Sequence, residues 1–293
     1  MRQIRKLFFK NASGQIWGLN GERGVYASNL SGFGFSMGTS FANLKRGFFS
    51  PVSTETEPQN SLAFTLTFTR TAYDTYKALV DWLSTAGTIS IGYDPTGKQT
   101  FYRDVTINSL SKGELNEVGW LEVPCSFLCK APWYSPVVSS MILQSDSDAT
   151  IKRYTYQYTP ELKYGSDGRS AASGTIPQSG HIPAALELSY CGRIENPVIR
   201  LAGKRTGRIY GICALHATIE ENETFKLCTR YENSCIKKVY ASGEEADLLN
   251  YVDLNPSPFF RVPVDEPCEI SIEAEHDITG VAELLIYYYF RSV

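Results

Sequence analysis

Hydrophobic and polar residues alternate along most of this chain with the two-residue period of half-buried strands. The stretch 61–69 is the clearest case: Leu62, Phe64, Leu66 and Phe68 fall on one face, Ala63 and three threonines on the other. Residues 7–19 read as a strand, an Asn11-x-x-Gly14 turn and a second strand, the signature of a hairpin. Further strands are predicted at 88–93, 101–107 and 120–129, with a turn at Asp94-Pro95-Thr96-Gly97. One stretch changes period. After Thr71, Tyr73, Tyr76, Val80 and Leu83 recur at helical spacing, and Leu79 and Trp82 widen the stripe. Thr71 is placed to cap a helix over 72–86, with Asp74 three residues on, and Gly87 stands where a left-handed terminator belongs.

The run Lys130-Ala131-Pro132-Trp133-Tyr134-Ser135-Pro136 puts two prolines within five residues, which breaks regular structure and predicts a boundary. Residues 1–134 are then a β domain carrying one packed helix, and residues 135–293 a second domain. In the latter, 144–149 is polar, Tyr154, Tyr156 and Tyr158 alternate as in a strand, and the Gly- and Ser-rich stretch 164–180 reads as a long exposed loop. Strands are expected at 185–190, 198–202, 209–215, 224–228, 236–240, 268–274 and 281–290, with one helical turn at 244–249. Many short strands separated by turns imply a β-sandwich, so the fold class is mainly β. The final run, Ala282 to Val293, is rich in aromatic and β-branched residues and is expected to close the chain as the last strand of a sheet.

Composition narrows the function classes. Aromatics make up 13% of 293 residues against only three Met, which favours flat sheet surfaces over helical bundles. Residues 1–134 carry 13 Lys and Arg against 10 Asp and Glu, a net +3, and the remainder is −6; neither half has the basic excess of a tight nucleic-acid binder. Seven cysteines with no framework spacing point to a reducing compartment of synthesis, a cytoplasm. The basic N-terminus has no long apolar stretch behind it, so neither a signal peptide nor membrane insertion is expected.

Candidate chemistry is sparse. His181, His216 and His276 are far apart, and none adjoins a nucleophile. Cys213-x-x-His216 with Cys228 and Cys235 has a superficial zinc spacing, but Cys213 lies in an apolar strand, where a thiol behaves as a small hydrophobe. Glu273 and Glu275 alternate with Ile270, Ile272 and Ala274 and are expected on a solvent face, while Glu220-Glu221-Asn222-Glu223 reads as a solvated turn. No phosphate-binding glycine loop is present. The sequence therefore assigns no catalytic, cofactor-binding or metal residue, no cofactor and no enzymatic activity. Sugar stacking is the strongest competing chemistry, with Trp133, Tyr154, Tyr156 and Tyr158 as the aromatics available.

Several of these segments, in order, resemble the distal tail proteins of long-tailed, non-contractile phages. The opening hairpin, the strand–helix unit of 62–86 and the Ala131-Pro132-Trp133-Tyr134 hinge resemble the N-terminal belt domain of that family. The run from Gly192-Arg193-Ile194-Glu195-Asn196-Pro197 into Val198-Ile199-Arg200-Leu201 and the closing strand to Arg291-Ser292-Val293 resemble its C-terminal domain. The resemblance implies a β-sandwich-like belt domain followed by a galectin-like β-sandwich. It implies a homo-hexameric ring in the virion, at the tail tip. Expected partners are the tail tube protein, a tail hub or tail-associated protein, and receptor-binding proteins. DNA would pass through the pore on ejection without specific binding. The alternative function is a carbohydrate-binding adhesion module at the tail tip.

Overall fold

The computed structural model describes residues 5–43, 49–144, 152–153, 163–164, 170–274, 278 and 280–293. The chain divides into two compact units, Met1–Ser135 with Tyr289–Val293, and Pro136–Tyr288.

The strands of the first unit are β1 (Lys6–Asn11), β2 (Ile16–Gly18), β3 (Val25–Ser31), β4 (Phe35–Asn43), β5 (Phe49–Pro58), β6 (Ser61–Phe68), β7 (Ile89–Asp94), β8 (Phe101–Leu110), β9 (Leu121–Cys129) and the start of β10 (Trp133–Ser140). The helix α1 (Ala72–Thr85) lies between β6 and β7. Antiparallel pairing runs β2-β1-β7-β8-β9-β6-β3. The alternation in β6 is realised: Leu62, Phe64, Leu66 and Phe68 are all at most 3% exposed. Phe64 stacks on Phe127 at 5.0 Å, and Phe9 meets both rings at 6.1 and 5.6 Å. In the first hairpin, Gly14 takes a φ of +81° and donates to the Asn11 carbonyl, while the Asn11 side chain accepts from Gln15 N–H at 2.8 Å.

The helix forms as its period predicts, but its buried face is rotated. Ala72, Leu79, Leu83 and Ala86 are buried, with Tyr76 and Trp82 packed beside them, whereas Tyr73 is 39% exposed. Thr71 does not cap. It sits at φ +39°, its hydroxyl 3.2 Å from that of Thr75. Thr69 is still bonded to the Gly24 carbonyl, so only two residues remain to turn from strand to helix, and that reversal sets Thr71 in the left-handed region. Gly87, at φ +66°, ends the helix as expected.

The proline-rich hinge is not a break. β10 runs through Pro136, and Trp133, Tyr134 and Ser135 are buried. Tyr134 pairs with Tyr102 on β8, and its hydroxyl donates to Asp104 at 2.9 Å. A proline at a strand position whose N–H needs no ladder partner leaves the strand intact.

In the second unit the chain continues through β11 (Ile142–Gln144), β12 (Lys152–Arg153), β13 (Lys163–Tyr164), β14 (Ser170–Ile176), β15 (Ile182–Cys191), β16 (Ile194–Glu195), β17 (Val198–Gly203), β18 (Ile209–Ala214), β19 (Thr218–Ile219), β20 (Thr224–Cys228), β21 (Cys235–Val239), β22 (Glu245–Asp247), β23 (Cys268–Ala274) and β24 (Val281–Phe290). One sheet has the order β11-β14-β23-β17-β18, and the other includes β24-β15-β20-β21-β22. Each sheet buries one face, with Ile199, Leu201, Ile270 and Ile272 on the first and Leu186, Leu188, Leu227 and Ile236 on the second, all at most 1% exposed. Much of the 164–180 stretch is not a loop: β14 pairs along its length with β23. Its Ser, Ala and Gly residues satisfy a ladder without giving the apolar alternation that announces a strand. The turn expected at 244–249 is instead β22, followed by a short 3-10 segment, Leu249–Tyr251. The tyrosine strand at 154–158 lies outside the described residues.

Candidate functional site

The sequence-based candidates do not converge. Cys213 is fully buried in β18, and burial pushes its thiol up to about 12. His216 lies at the surface, 3.2 Å from Asp253. Cys228 and Cys235 face each other across β20 and β21, apart from both. Among the described residues no group of three or more His, Cys, Asp or Glu is arranged to hold a metal ion. His181 is exposed, and His276 and Glu275 lie outside the described residues. Glu273 alternates outward from β23 as expected and pairs with Arg200 at 3.4 Å. Glu220–Glu223 form the expected turn, in which the Glu223 carboxylate accepts from Glu220 N–H and meets Lys238 at 3.0 Å.

Trp133 does not serve as a sugar platform. It is fully buried, with ring centroids of Phe33 and Tyr93 at 5.2 and 6.3 Å and the Arg103 guanidinium 5.6 Å over its face. The hydrophobic seam of β10 claims it for the core. Tyr154, Tyr156 and Tyr158 are outside the described residues.

Two features of the first unit suit contact rather than chemistry. The first is β4–β5, a two-stranded antiparallel sheet of its own, nine pairs long from Phe35↔Pro58 to Asn43↔Phe49. Its outer edges present rows of backbone N–H and C=O groups, a template for pairing with another strand. The local signal is a faint one: Phe35, Met37, Thr39 and Phe41 recur every second residue, but among Ser, Gly and Ala rather than charges. The second is the loop before β9. Asn116 accepts from the Val118 and Trp120 N–H groups at 3.2 and 2.9 Å and so fixes its turn. Glu114 accepts from the Tyr73 hydroxyl at 2.7 Å, and Lys112 sits 4.5 Å over that ring, which ties the loop to α1. The hydrogen bond to Glu114 raises the Tyr73 pKa. Leu115, Val118 and Trp120 are left 42%, 67% and 43% exposed, an apolar patch on a braced loop.

Comparison with known proteins places these features in a family context. Residues 6–130 match the sequence profile described as the distal tail protein, N-terminal domain. Against curated proteins the chain finds no match. Among solved structures it is similar to a component of the phage p2 baseplate in its activated conformation with strontium, at a TM-score of 0.63 and 14% identity over 94% of this chain and 100% of the other. The phage SPP1 Dit protein, described as a paradigm of the hub adsorption apparatus in phages infecting Gram-positive hosts, matches at a TM-score of 0.53 and 10% identity, over 98% and 99% of the two chains. At these identities the structural likeness carries the fold.

Proposed function

We propose that this chain, a phage distal tail protein with that family's N-terminal domain over residues 6–130, closes with five copies of itself into a ring at the tail tip that joins the tail tube to the hub. The observation that carries this reading is the β4–β5 ribbon. An isolated two-stranded ribbon is marginal in water, and its unpaired edges are satisfied if each copy pairs with the next. Edge-to-edge pairing around a rotation axis closes a ring and leaves no free edge.

In this reading residues 1–134 build the ring, and residues 135–293, a galectin-like sandwich, project outward toward receptor-binding partners. The role is structural, without turnover. The strands of the ribbon, 35–43 and 49–58, contain no Lys or Arg and two carboxylates, Glu55 and Glu57. A pore built from them would not neutralise phosphates, so DNA would slide rather than stick. Carbohydrate adhesion loses Trp133, which is buried, as an anchor, and no other observation favours it.

Negative-stain imaging paired with solution mass tests the proposal. Six chains of 32.7 kDa predict a species of about 196 kDa with an open centre. A monodisperse monomer that stays monomeric at high concentration, and with a tail-tube protein added, would overturn it.

A further inference from the structure

On the outer face of the second unit, Glu187, Lys226, Cys228, Arg230, Cys235 and Lys237 line an open groove of about 430 Å³. The two thiols are neighbours across the ladder. Cys228 on β20 pairs in register with Cys235 on β21, and Glu187 on β15 stands directly opposite Cys228 on the other side. Both cysteines are free, Cys228 being 6% exposed and Cys235 more open. Side chains directly opposite on an antiparallel pair project to the same face. The inner face of the same two strands is taken by Leu227 and Ile236, so both thiols point into the groove.

The pairing type follows from the backbone. Thr229 N–H donates to Leu186 on β15. Successive N–H groups of a strand point to opposite edges, so those of Cys228 face Cys235 in a hydrogen-bonded pair. The Cα atoms of such a pair are about 5.5 Å apart, near the middle of the roughly 4.4–6.8 Å that a disulfide spans. Their Cβ atoms, about 5 Å apart, must close by about 1 Å to reach the usual disulfide separation. A bridge is therefore within reach but strained, which belongs to the labile rather than the permanent kind. The remaining exposed thiol, Cys191, lies four residues from Glu187 along β15, about 13 Å away along the strand, beyond disulfide reach of the pair.

We propose that Cys228 and Cys235 form a reversible dithiol site that reacts with small disulfides admitted by the groove. The Cys235 thiolate attacks a low-molecular-weight disulfide RS–SR, making a Cys235–SR bond and releasing one RS⁻, which takes up the proton Cys235 gave up. The Cys228 thiolate then attacks Sγ of Cys235 and expels the second RS⁻, protonated in turn. Two protein thiols and one small disulfide become one protein disulfide and two small thiols. Burial raises both thiol pKa values, with Arg230 opposing the shift at Cys228 and Lys237 at Cys235, so access sets the order: Cys235, the more open of the two, attacks first. Cys228, more deeply set, resolves. The product pins the β20–β21 hairpin covalently when the chain meets an oxidising medium.

Exposure of the native full chain to oxidised glutathione, followed by intact mass and peptide mapping after alkylation, tests this. The expected product is a Cys228–Cys235 linked peptide with no glutathione retained on either of these two cysteines, reversed by dithiothreitol. The variant Cys228→Ser should instead retain one glutathione on Cys235, and Cys235→Ser should react at least tenfold more slowly. Native chain that keeps glutathione on Cys235, or that forms no linked peptide in a glutathione buffer oxidising enough to close a control dithiol, would overturn the proposal. Circular dichroism of each variant separates loss of reactivity from loss of fold.

Discussion

Glu266 shows how much one carboxylate can organise. It is 1% exposed and accepts from the backbone N–H groups of Arg205 and Thr206, each at 3.1 Å, from the Thr206 hydroxyl at 2.6 Å and from the Tyr210 hydroxyl at 2.5 Å. Those bonds, the Thr206 hydroxyl first and Tyr210 next, lower its pKa from 4.5 to about 2. A carboxylate whose folded pKa is depressed stabilises the fold above its unfolded value and loses that contribution as pH falls through the folded one. Melting temperature should therefore drop between about pH 4.5 and pH 2, and Glu266→Gln should remove that part of the acid dependence in a pH-resolved thermal scan. An unchanged acid limb in the variant would refute this role. None of it is legible in the sequence, where Asp265-Glu266-Pro267 reads as an ordinary polar turn. Arg103 is the same lesson in a strand. Between Tyr102 and Asp104 it reads as solvent-facing, yet it is 1% exposed, donates to the Ala131 carbonyl at 2.9 Å and to the Gln59 carbonyl, and carries a pKa lowered by burial. Partners 28 and 44 residues distant are set by tertiary pairing, not by local pattern.

At the level of elements, period is the signal that survives folding. β6, β9, β17, β20, β23 and β24 stand within a few residues of where alternation and apolar content place them, because each shows one face to a core. Where both faces are mostly small or polar, as in β14, the same backbone structure forms with no contrast to announce it. The helix separates existence from orientation: a period near 3.6 fixes that it forms, but two aromatics, Tyr73 and Tyr76, compete for one stripe and only packing chooses. That choice is testable. Leu79→Ala should cost about 2–5 kcal/mol in chemical denaturation, whereas Tyr73→Ala should stay within about 1 kcal/mol, the scale of a surface hydrogen bond and cation–π contact. Equal losses would mean that Tyr73 is packed as tightly as Leu79 and would refute the rotated face.

For the whole molecule, the composition of residues 130–136 suggests a boundary but not the path of the chain. A boundary read from prolines assumes that each unit is one continuous segment. Instead the chain leaves the first unit after Ser135 and comes back to it at Tyr289. Phe290 and Val293 pack against its core, the Phe290 ring meets Phe101 edge-on at 5.1 Å, and Val293 N–H donates to the Phe33 carbonyl at 3.3 Å. Deleting residues 289–293 should therefore loosen the first unit while sparing most of the second. Hydrogen exchange should accelerate in β8 and around Phe33 but not in β17 or β23. Uniform exchange across the chain, or none, would show that the closing segment contributes nothing specific. The return has a consequence in time. During vectorial synthesis, residues 1–135 emerge first but lack part of their own core until residue 293 has been translated. The first unit thus stays incomplete while the second is being made, and a chain stopped before Tyr289 carries its defect in the first unit rather than in the unit it was interrupted in.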